Sequence, residues 1–229
     1  HVLYCPGSRS APFAYALEAG SFSGDARPIL DERGAGFAAV GLARTGALPA
    51  IVVTSGTAVA ELAPAVLEAS HARLPLLVLS TDRPGELRGV GASQATHQSG
   101  FFGMHVRASI DLEPQEASPS LVGHLARAVA AACGAPSGTP GPVQINVAFR
   151  DPLTPVRPAS DSGDEVGASF VPRPTRVMGA PAVPARWEDV VGPAVAGLIV
   201  AGEGASPRAR EWSEASGFPL LAEPASGAW

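Results

Sequence analysis

A short apolar run stops at three charged residues in the segment Arg27-Pro28-Ile29-Leu30-Asp31-Glu32-Arg33-Gly34-Ala35-Gly36-Phe37. Small and apolar residues then follow at helical spacing, so the segment predicts a buried strand that places Glu32 at the start of a helix. In parallel α/β sheets, ligands bind outside the carboxyl ends of the strands. Because the neighbours of Glu32 are nearly all small or apolar, we expect its ionised form to be poorly solvated and its proton affinity to be raised. In the alternative interpretation, Asp31 caps the helix and Glu32 only complements the helix dipole.

The composition of the chain narrows the classes of function. Its 229 residues carry a net charge of −5. There are no acidic or basic blocks, which argues against nucleic acid or anionic lipid as the main partner. No apolar run approaches the roughly 20 residues of a membrane span. Cys5 and Cys133 form no Cys-x-x-Cys motif, so we expect a reducing, cytoplasmic location. All 16 residues counted as Lys or Arg are arginine, which excludes chemistry that needs a lysine of this chain. Arginine binds carboxylates better than lysine does, because its planar guanidinium donates two parallel hydrogen bonds.

Residues 1–149 alternate between strand and helix patterns. The predicted strands are 2–5, 28–30, 50–53, 76–79, 106–110 and 143–147, and the predicted helices are 11–19, one that ends near 45, 58–69 with Pro64 able to kink it, and 119–133. Continuous apolar strands that alternate with helices predict an α/β fold in which helices flank a parallel sheet.

The composition changes after residue 149. Residues 150–186 contain many prolines among Ser, Gly and acids, which predicts an extended interdomain linker. A strand near 196–202, a helix near 207–216 and a strand at 219–221 follow. One such βαβ unit cannot bury its own faces, so we expect residues 187–229 to be the start of a truncated central α/β domain.

Polar clusters follow the predicted strands. They are Gly7-Ser8-Arg9-Ser10, Asp31-Glu32-Arg33, Thr54-Ser55-Gly56-Thr57, Asp82-Arg83-Pro84 and Gly91-Ala92-Ser93-Gln94. In a parallel sheet all five would lie along one edge and suit a polar, anionic ligand. The histidines have no metal-ligand spacing, so no metal site is predicted in this chain.

The order of these clusters resembles the pyrimidine-binding domain of the thiamine diphosphate enzymes. The resemblance rests on Cys-Pro-Gly-Ser-Arg-Ser at 5–10, Asp-Glu-Arg-x-Ala-Gly-Phe at 31–37, Thr-Ser-Gly-Thr-Ala at 54–58, Asp-Arg-Pro at 82–84 and Gly-Ala-x-Gln at 91–94. Within that family, the first and fourth motifs are most similar to the branch that makes 2-succinyl-5-enolpyruvyl-6-hydroxy-3-cyclohexene-1-carboxylate (SEPHCHC). The resemblance is dense to about residue 110 and looser from there to residue 229.

The resemblance implies a transferase of menaquinone biosynthesis. Such a carboligase decarboxylates 2-oxoglutarate on thiamine diphosphate and adds the succinyl-semialdehyde carbanion to isochorismate. It implies a homodimer or tetramer with the active site at the subunit interface, and a Mg²⁺ site outside this chain. Both substrates carry carboxylates, which suit arginine forks.

The resemblance also implies roles for individual residues. Glu32 would be catalytic, through a hydrogen bond to N1′ of the cofactor's pyrimidine, and Thr54, Ser55 and Gly56 would bind the same cofactor. The implied substrate-binding residues are Ser8, Arg9, Arg83, Ser93 and Gln94. Alternatively, the two arginines are surface residues that pair with Asp31 or Asp82.

Two positions depart from the family pattern, because Glu61 and Ser93 stand where comparable members tend to carry Asn. Two other functions also stay open: a non-catalytic dimerisation or ligand-binding module, and an acetolactate-synthase-like carboligase. Because the diphosphate and metal motifs of the family are not in these 229 residues, we expect the chain alone to be inactive.

Overall fold

A computed structural model describes residues 1–20, 22–116, 118–155 and 196–229. The described residues fall into two compact units, one within 1–155 and one within 196–229. The predicted linker therefore lies outside the described residues from 156 to 186, and so do the first residues of the predicted central domain, 187–195. Among the described helices, none combines the length and the apolar character needed to cross a membrane.

The first unit alternates strands with helices. Its strands are β1 (Val2–Tyr4), β2 (Ala26–Pro28), β3 (Ala50–Val53), β4 (Leu76–Asp82), β5 (Ala108–Leu112) and β6 (Pro142–Ala148). Its α-helices are α1 (Ala11–Glu18), α2 (Glu32–Arg44), α3 (Thr57–Ala60), α4 (Ala63–His71) and α5 (Pro119–Ala132). Single 3₁₀ turns at Gly85–Leu87 and Gly103–His105 interrupt the connection between β4 and β5.

The strands form one sheet in the order β2-β1-β3-β4-β6-β5, and every pair in it is parallel. Buried side chains cover both faces, since one cluster packs under α2 and α4 and another under α5. The predicted α/β fold with a parallel sheet is therefore confirmed. The chain runs from β1 to β2 on one side and then crosses β1 to reach β3, which makes the carboxyl ends of β1 and β3 a topological switch point.

The strand before Glu32 is not buried, which corrects the sequence interpretation. β2 is the edge strand, its three residues are exposed, and the following Leu30 is 86% exposed. Apolar composition alone did not distinguish an edge strand from a central one. The helix that starts after it does follow the prediction, with its first residue at Glu32 and its last at Arg44.

Two other elements differ from the sequence expectation. The predicted helix at 58–69 is two helices, α3 and α4, and Pro64 lies in the first turn of α4, where a missing N–H costs no hydrogen bond. The fourth strand continues three residues beyond 79, so that Ser80, Thr81 and Asp82 are buried within β4.

Helices α2 and α4 approach each other closely at Gly36. A Cβ on Gly36 would lie 2.7 Å from Cβ of Ala65 and 3.4 Å from Cδ2 of Leu62. Gly41 lies in the same helix, is exposed, and has no heavy atom within 4 Å of the position of a Cβ. The two glycines therefore offer a matched pair of sites for the same substitution.

We predict opposite effects of alanine at these two positions. Gly36→Ala should lower the free energy of unfolding by about 1–3 kcal/mol, because it overpacks the α2–α4 contact. Gly41→Ala should raise it by about 0.5–1 kcal/mol, since alanine is the better helix former at an open site. Urea titration followed by circular dichroism measures both changes. Equal stability of the two variants would contradict this packing.

The second unit is a small βαβ arrangement, as the sequence predicts. It contains β7 (Ile199–Ala201), α6 (Arg208–Ser216) and β8 (Leu220–Ala222), and its two strands pair in parallel. Ala201, Ala209 and Ala228 form its small buried cluster.

Candidate functional site

Four of the polar clusters lie directly after neighbouring strands. β1 pairs with β2 and with β3, and β3 pairs with β4, so the segments that follow these strands meet at the carboxyl edge of the sheet. The fifth cluster lies on the loop between β4 and β5. The parallel register thus brings short segments from distant parts of the sequence to one edge.

The two acids at the start of α2 have different environments. Asp31 is the N-cap, and its Oδ1 accepts a hydrogen bond of 2.6 Å from the N–H of Gly34. Glu32 is half-buried, and among the described residues no group donates a hydrogen bond to its carboxylate. The cap expected in the alternative interpretation is therefore present at Asp31, and Glu32 lies in the first turn of α2, where its charge complements the helix dipole.

The charge of Glu32 affects the Cys5 thiol, which directly follows β1. The Cys5 thiol lies fully buried there, and burial first, with the Glu32 and Asp31 charges after it, raises the pKa of Cys5 to about 12. The thiol is thus protonated at neutral pH and is not a nucleophile in this state. Glu32 is the first residue of α2, which follows β2, and β2 pairs with β1, so its charge lies at the same edge of the sheet as Cys5.

The turn after β3 packs tightly against the turn after β1. A Cβ on Gly7 would lie 2.5 Å from Cβ of Thr54, so only glycine allows this approach. Gly56 has φ = +83°, and a Cβ on it would lie 2.9 Å from Cγ of Gln94. Thr54 and Ser55 are both buried. These contacts bring the turn after β1, the turn after β3 and the long loop against one another at the carboxyl edge of the sheet.

Three of the residues singled out in the sequence lie in direct contact. Arg83 Nη1 donates hydrogen bonds to Ser55 Oγ at 2.6 Å and to the Gln94 carbonyl at 2.8 Å. Gln94 Nε2 donates to the Ser55 carbonyl at 2.9 Å. The structure thus joins the turn after β3, the end of β4 and the long loop through one arginine. The Arg83 guanidinium bonds to no carboxylate among these contacts. The main-chain N–H of Arg83 donates to Asp82 Oδ1 at 2.7 Å.

Arg9 lies in a different environment from the one considered in the sequence. Its residue surface is only 9% exposed, and its guanidinium donates to the Phe149 carbonyl at 2.7 Å and to Asp151 Oδ2 at 3.3 Å. It is therefore not a surface residue paired with Asp31 or Asp82. Ser8 and Ser93 are exposed, and among the described residues no hydrogen bond joins either hydroxyl to the cluster around Arg83.

The sequence interpretation missed a buried polar network beneath this edge. Its side chains come from β4, β6 and the long loop: Ser80, Asp82, Gln98, Gln144 and Asn146, all buried. The signal for it was the alternation of Gln144 and Asn146 in an otherwise apolar strand, which predicts two polar side chains on one buried face.

Arg88 forms ion pairs with Asp82 of this network and with two neighbouring carboxylates. It lies 3.2 Å from Asp82, 2.7 Å from Asp111 and 3.3 Å from Glu113, measured between nitrogen and oxygen atoms. A cavity of about 340 Å³ lies beside it under the long loop, lined in part by His97 and Gln98. Among the described residues, no group of three or more His, Cys, Asp or Glu side chains could hold a metal ion.

The sequence of the chain is similar to those of known proteins. Residues 1–101 match the family described as "Thiamine pyrophosphate enzyme, N-terminal TPP binding domain". Over its full length, the chain is 48% identical to a 2-succinyl-5-enolpyruvyl-6-hydroxy-3-cyclohexene-1-carboxylate synthase of Kineococcus radiotolerans and covers 41% of that protein. It is 46% identical to the synthase of the same name from an Arthrobacter species, with 99% of the chain and 37% of the relative aligned.

The chain therefore spans about two fifths of the length of these curated relatives. A third relative, from Rhodococcus erythropolis, has the same name, 41% identity and 41% of its length covered. The parallel sheet described above agrees with these matches: residues 1–101 are similar to the N-terminal domain of thiamine pyrophosphate enzymes, and the chain is similar to the N-terminal part of SEPHCHC synthases.

Proposed function

We propose that the complete protein containing this chain is a thiamine diphosphate-dependent carboligase that converts 2-oxoglutarate and isochorismate into SEPHCHC and CO₂. The observation that carries the proposal is the Glu32 carboxylate. It is half-buried beside the switch point of the sheet, and no described residue donates a hydrogen bond to it. A carboxylate in such a place has its bonding capacity left for a ligand.

The residues around Glu32 fit the pyrimidine ring of the cofactor. Gly7 packs closely on Thr54, and Gly56 has a left-handed backbone, so the turn after β3 lies directly against the turn after β1. A flat heterocycle with ring nitrogens and an amino group can pack against such a turn and bond to one carboxylate. We therefore assign cofactor binding to Glu32, Thr54, Ser55 and Gly56.

Thiamine diphosphate, when bound, supplies a thiazolium carbon that can lose its proton and attack a 2-oxo acid. The task of this chain is to make that proton loss easy. Glu32 would share a proton with N1′ of the pyrimidine, and the half-buried setting would keep water from competing for that hydrogen bond. Glu32 is thus proposed as the catalytic residue of this part of the protein.

Arg83, Arg9, Ser8, Ser93 and Gln94 are proposed to bind the substrates. Both substrates are dicarboxylates, and a guanidinium binds a carboxylate through two parallel hydrogen bonds. Arg83 is the better supported of the two arginines, since its contacts to Ser55 and Gln94 use neutral oxygens and leave its charge uncompensated there. Arg9 shares its charge with Asp151, whose side chain is 69% exposed.

The remaining parts of the proposal concern the complete protein. We propose that Mg²⁺ and the diphosphate are bound by residues outside this chain, and that the active site lies at an interface of a homodimer or tetramer. We also propose that the protein acts in the cytoplasm. The names of the curated relatives support the reaction, and the domain family supports the cofactor.

The first test is Glu32→Gln in the complete gene product. The amide has nearly the same shape but cannot exchange a proton with N1′, so C2-proton exchange of bound thiamine diphosphate and CO₂ release from 2-oxoglutarate should both fall by at least about 100-fold. In the wild-type protein, SEPHCHC formation and sustained CO₂ release should require isochorismate as well as 2-oxoglutarate. Near-normal C2-proton exchange in the variant would remove Glu32 from the mechanism.

The second test replaces Arg83 and Arg9, one at a time, by lysine. Each change keeps the charge but loses the bidentate fork. For one of the two substrates, kcat/KM should fall by an amount that corresponds to about 1.5–3 kcal/mol of lost transition-state stabilisation. The affinity for the cofactor should stay nearly unchanged.

Arg44→Lys is the control for this pair. Arg44 lies at the far end of α2 in an exposed pair with Glu68, at 3.1 Å, so its replacement should leave the kinetics unchanged. If the lysine variants at 83 and 9 behave like this control, neither arginine binds substrate.

A further inference from the structure

Gln98 lies under the candidate site without facing it. It belongs to the loop between β4 and β5, and it is only 1% exposed. Its Oε1 accepts a hydrogen bond of 2.7 Å from the N–H of Gly56. Its Nε2 donates to the Thr81 carbonyl and to Asn146 Oδ1, both at 3.0 Å. One side-chain amide thus joins the turn after β3 to β4 and β6.

The orientation of the Gln98 amide is fixed by two carboxylates. Asn146 Nδ2 donates to Asp82 Oδ2 at 2.9 Å and to Asp111 Oδ1 at 2.8 Å. Ionised carboxylates only accept hydrogen bonds, so Asn146 must turn its NH₂ toward them and its oxygen toward Gln98. Gln98 must in turn present its own NH₂ to that oxygen. Its Oε1 is then left facing Gly56, where the main-chain N–H requires an acceptor.

The turn that Gln98 holds also positions Arg83. Ser55 precedes Gly56 in the buried turn, and its hydroxyl accepts the hydrogen bond from Arg83 Nη1 at 2.6 Å. The neighbouring Gly56 has a positive φ, which glycine adopts readily and other residues rarely do. A shift of the Gly56 N–H would therefore move the Ser55 hydroxyl and the guanidinium together.

We propose that Gln98 is the positioning residue of this site, which fixes the turn at 54–57 and, through Ser55, the guanidinium of Arg83. The inference rests on the proposed function, because it assigns this turn to the cofactor and Arg83 to a substrate. Gln98 touches neither ligand. It acts by holding one main-chain N–H in place from beneath, and no other side chain of the described residues bonds to that N–H.

The test compares three variants of the complete gene product. Gln98→Glu keeps the size but replaces the donor by a carboxylate, which would face the Thr81 carbonyl and the Asn146 oxygen. Gln98→Met keeps the side-chain length and removes every hydrogen bond of the side chain, while the main-chain carbonyl still accepts from Gln144 Nε2. Val143→Ala is the control for lost stability, since Val143 is fully buried in the separate cluster under α5 and has an apolar side chain.

The pH profile separates positioning from a general loss of stability. At pH 8, both Gln98 variants should lose about 10- to 100-fold in kcat/KM, the size expected for a few lost hydrogen bonds. As the pH falls toward 5.5, the activity of Gln98→Glu relative to wild type should rise, because the protonated carboxyl regains an O–H donor and keeps an acceptor for Gly56. Gln98→Met should show no such recovery. The inference would be overturned if kcat/KM of Gln98→Glu followed the same pH dependence as wild type. It would also be overturned if Val143→Ala, compared at an equal melting temperature, lost as much kcat/KM as the Gln98 variants.

Hydrogen exchange tests the same inference without using activity. Peptides that span residues 54–57 should exchange about tenfold faster in Gln98→Met than in Val143→Ala, because the Gly56 N–H loses its acceptor. If Gln98→Met does not fold, Gln98→Glu compared at pH 8 and pH 5.5, after correction for intrinsic exchange, should show the same difference. Unchanged exchange would refute the role of Gln98 even if Glu32→Gln is inactive. Faster exchange in a protein without thiamine-dependent turnover would instead support the role of Gln98 and refute the proposed function.

Discussion

The parallel pairing of β1 with both β2 and β3 is the constraint on which the rest of the site depends. Since all three strands end at one edge, Glu32 after β2 and the turn at 54–57 after β3 lie on either side of the end of β1. Glycine at position 7 then allows the turn after β1 to pack directly on the Thr54 side chain of the turn after β3. A larger residue at that position would separate the two halves of the site before any ligand chemistry could begin.

Hydrogen bonding divides the acids of this unit into two classes. Asp31 caps a helix, and Asp82 and Asp111 are paired with Arg88 and bonded to Asn146. Glu32 differs, because it is half-buried and no described group donates to its carboxylate. A half-buried carboxylate to which no protein group donates keeps its hydrogen-bonding capacity for a ligand. This contrast is a stronger physical argument for Glu32 than its position at a strand end alone.

Much of the fold followed from the sequence, because continuous apolar strands and helical spacing report directly on a parallel sheet covered on both faces. The prediction was wrong where the result depends on strand order, because composition does not encode which strands become neighbours. The sequence predicts a buried strand at 28–30, but the strand is β2 at Ala26–Pro28, which lies at the edge of the sheet, and Leu30 beyond it is exposed. At the site, short motifs identified the segments that meet, whereas the partner of Arg9 lies 142 residues away at Asp151 and no local pattern predicts it. Gln98 was missed for a similar reason, since a polar residue in a long loop gives no sign that it will be buried.

The central claim is that this edge of the sheet binds the pyrimidine of thiamine diphosphate through Glu32. A crystal structure of the complete gene product with thiamine diphosphate and Mg²⁺ tests it most directly. The account predicts the Glu32 carboxylate at about 2.6–3.2 Å from N1′ of the pyrimidine, with the turn at 54–57 against the same ring. A cofactor whose pyrimidine lies elsewhere, or a Glu32 carboxylate bonded only to protein groups in that complex, would contradict it.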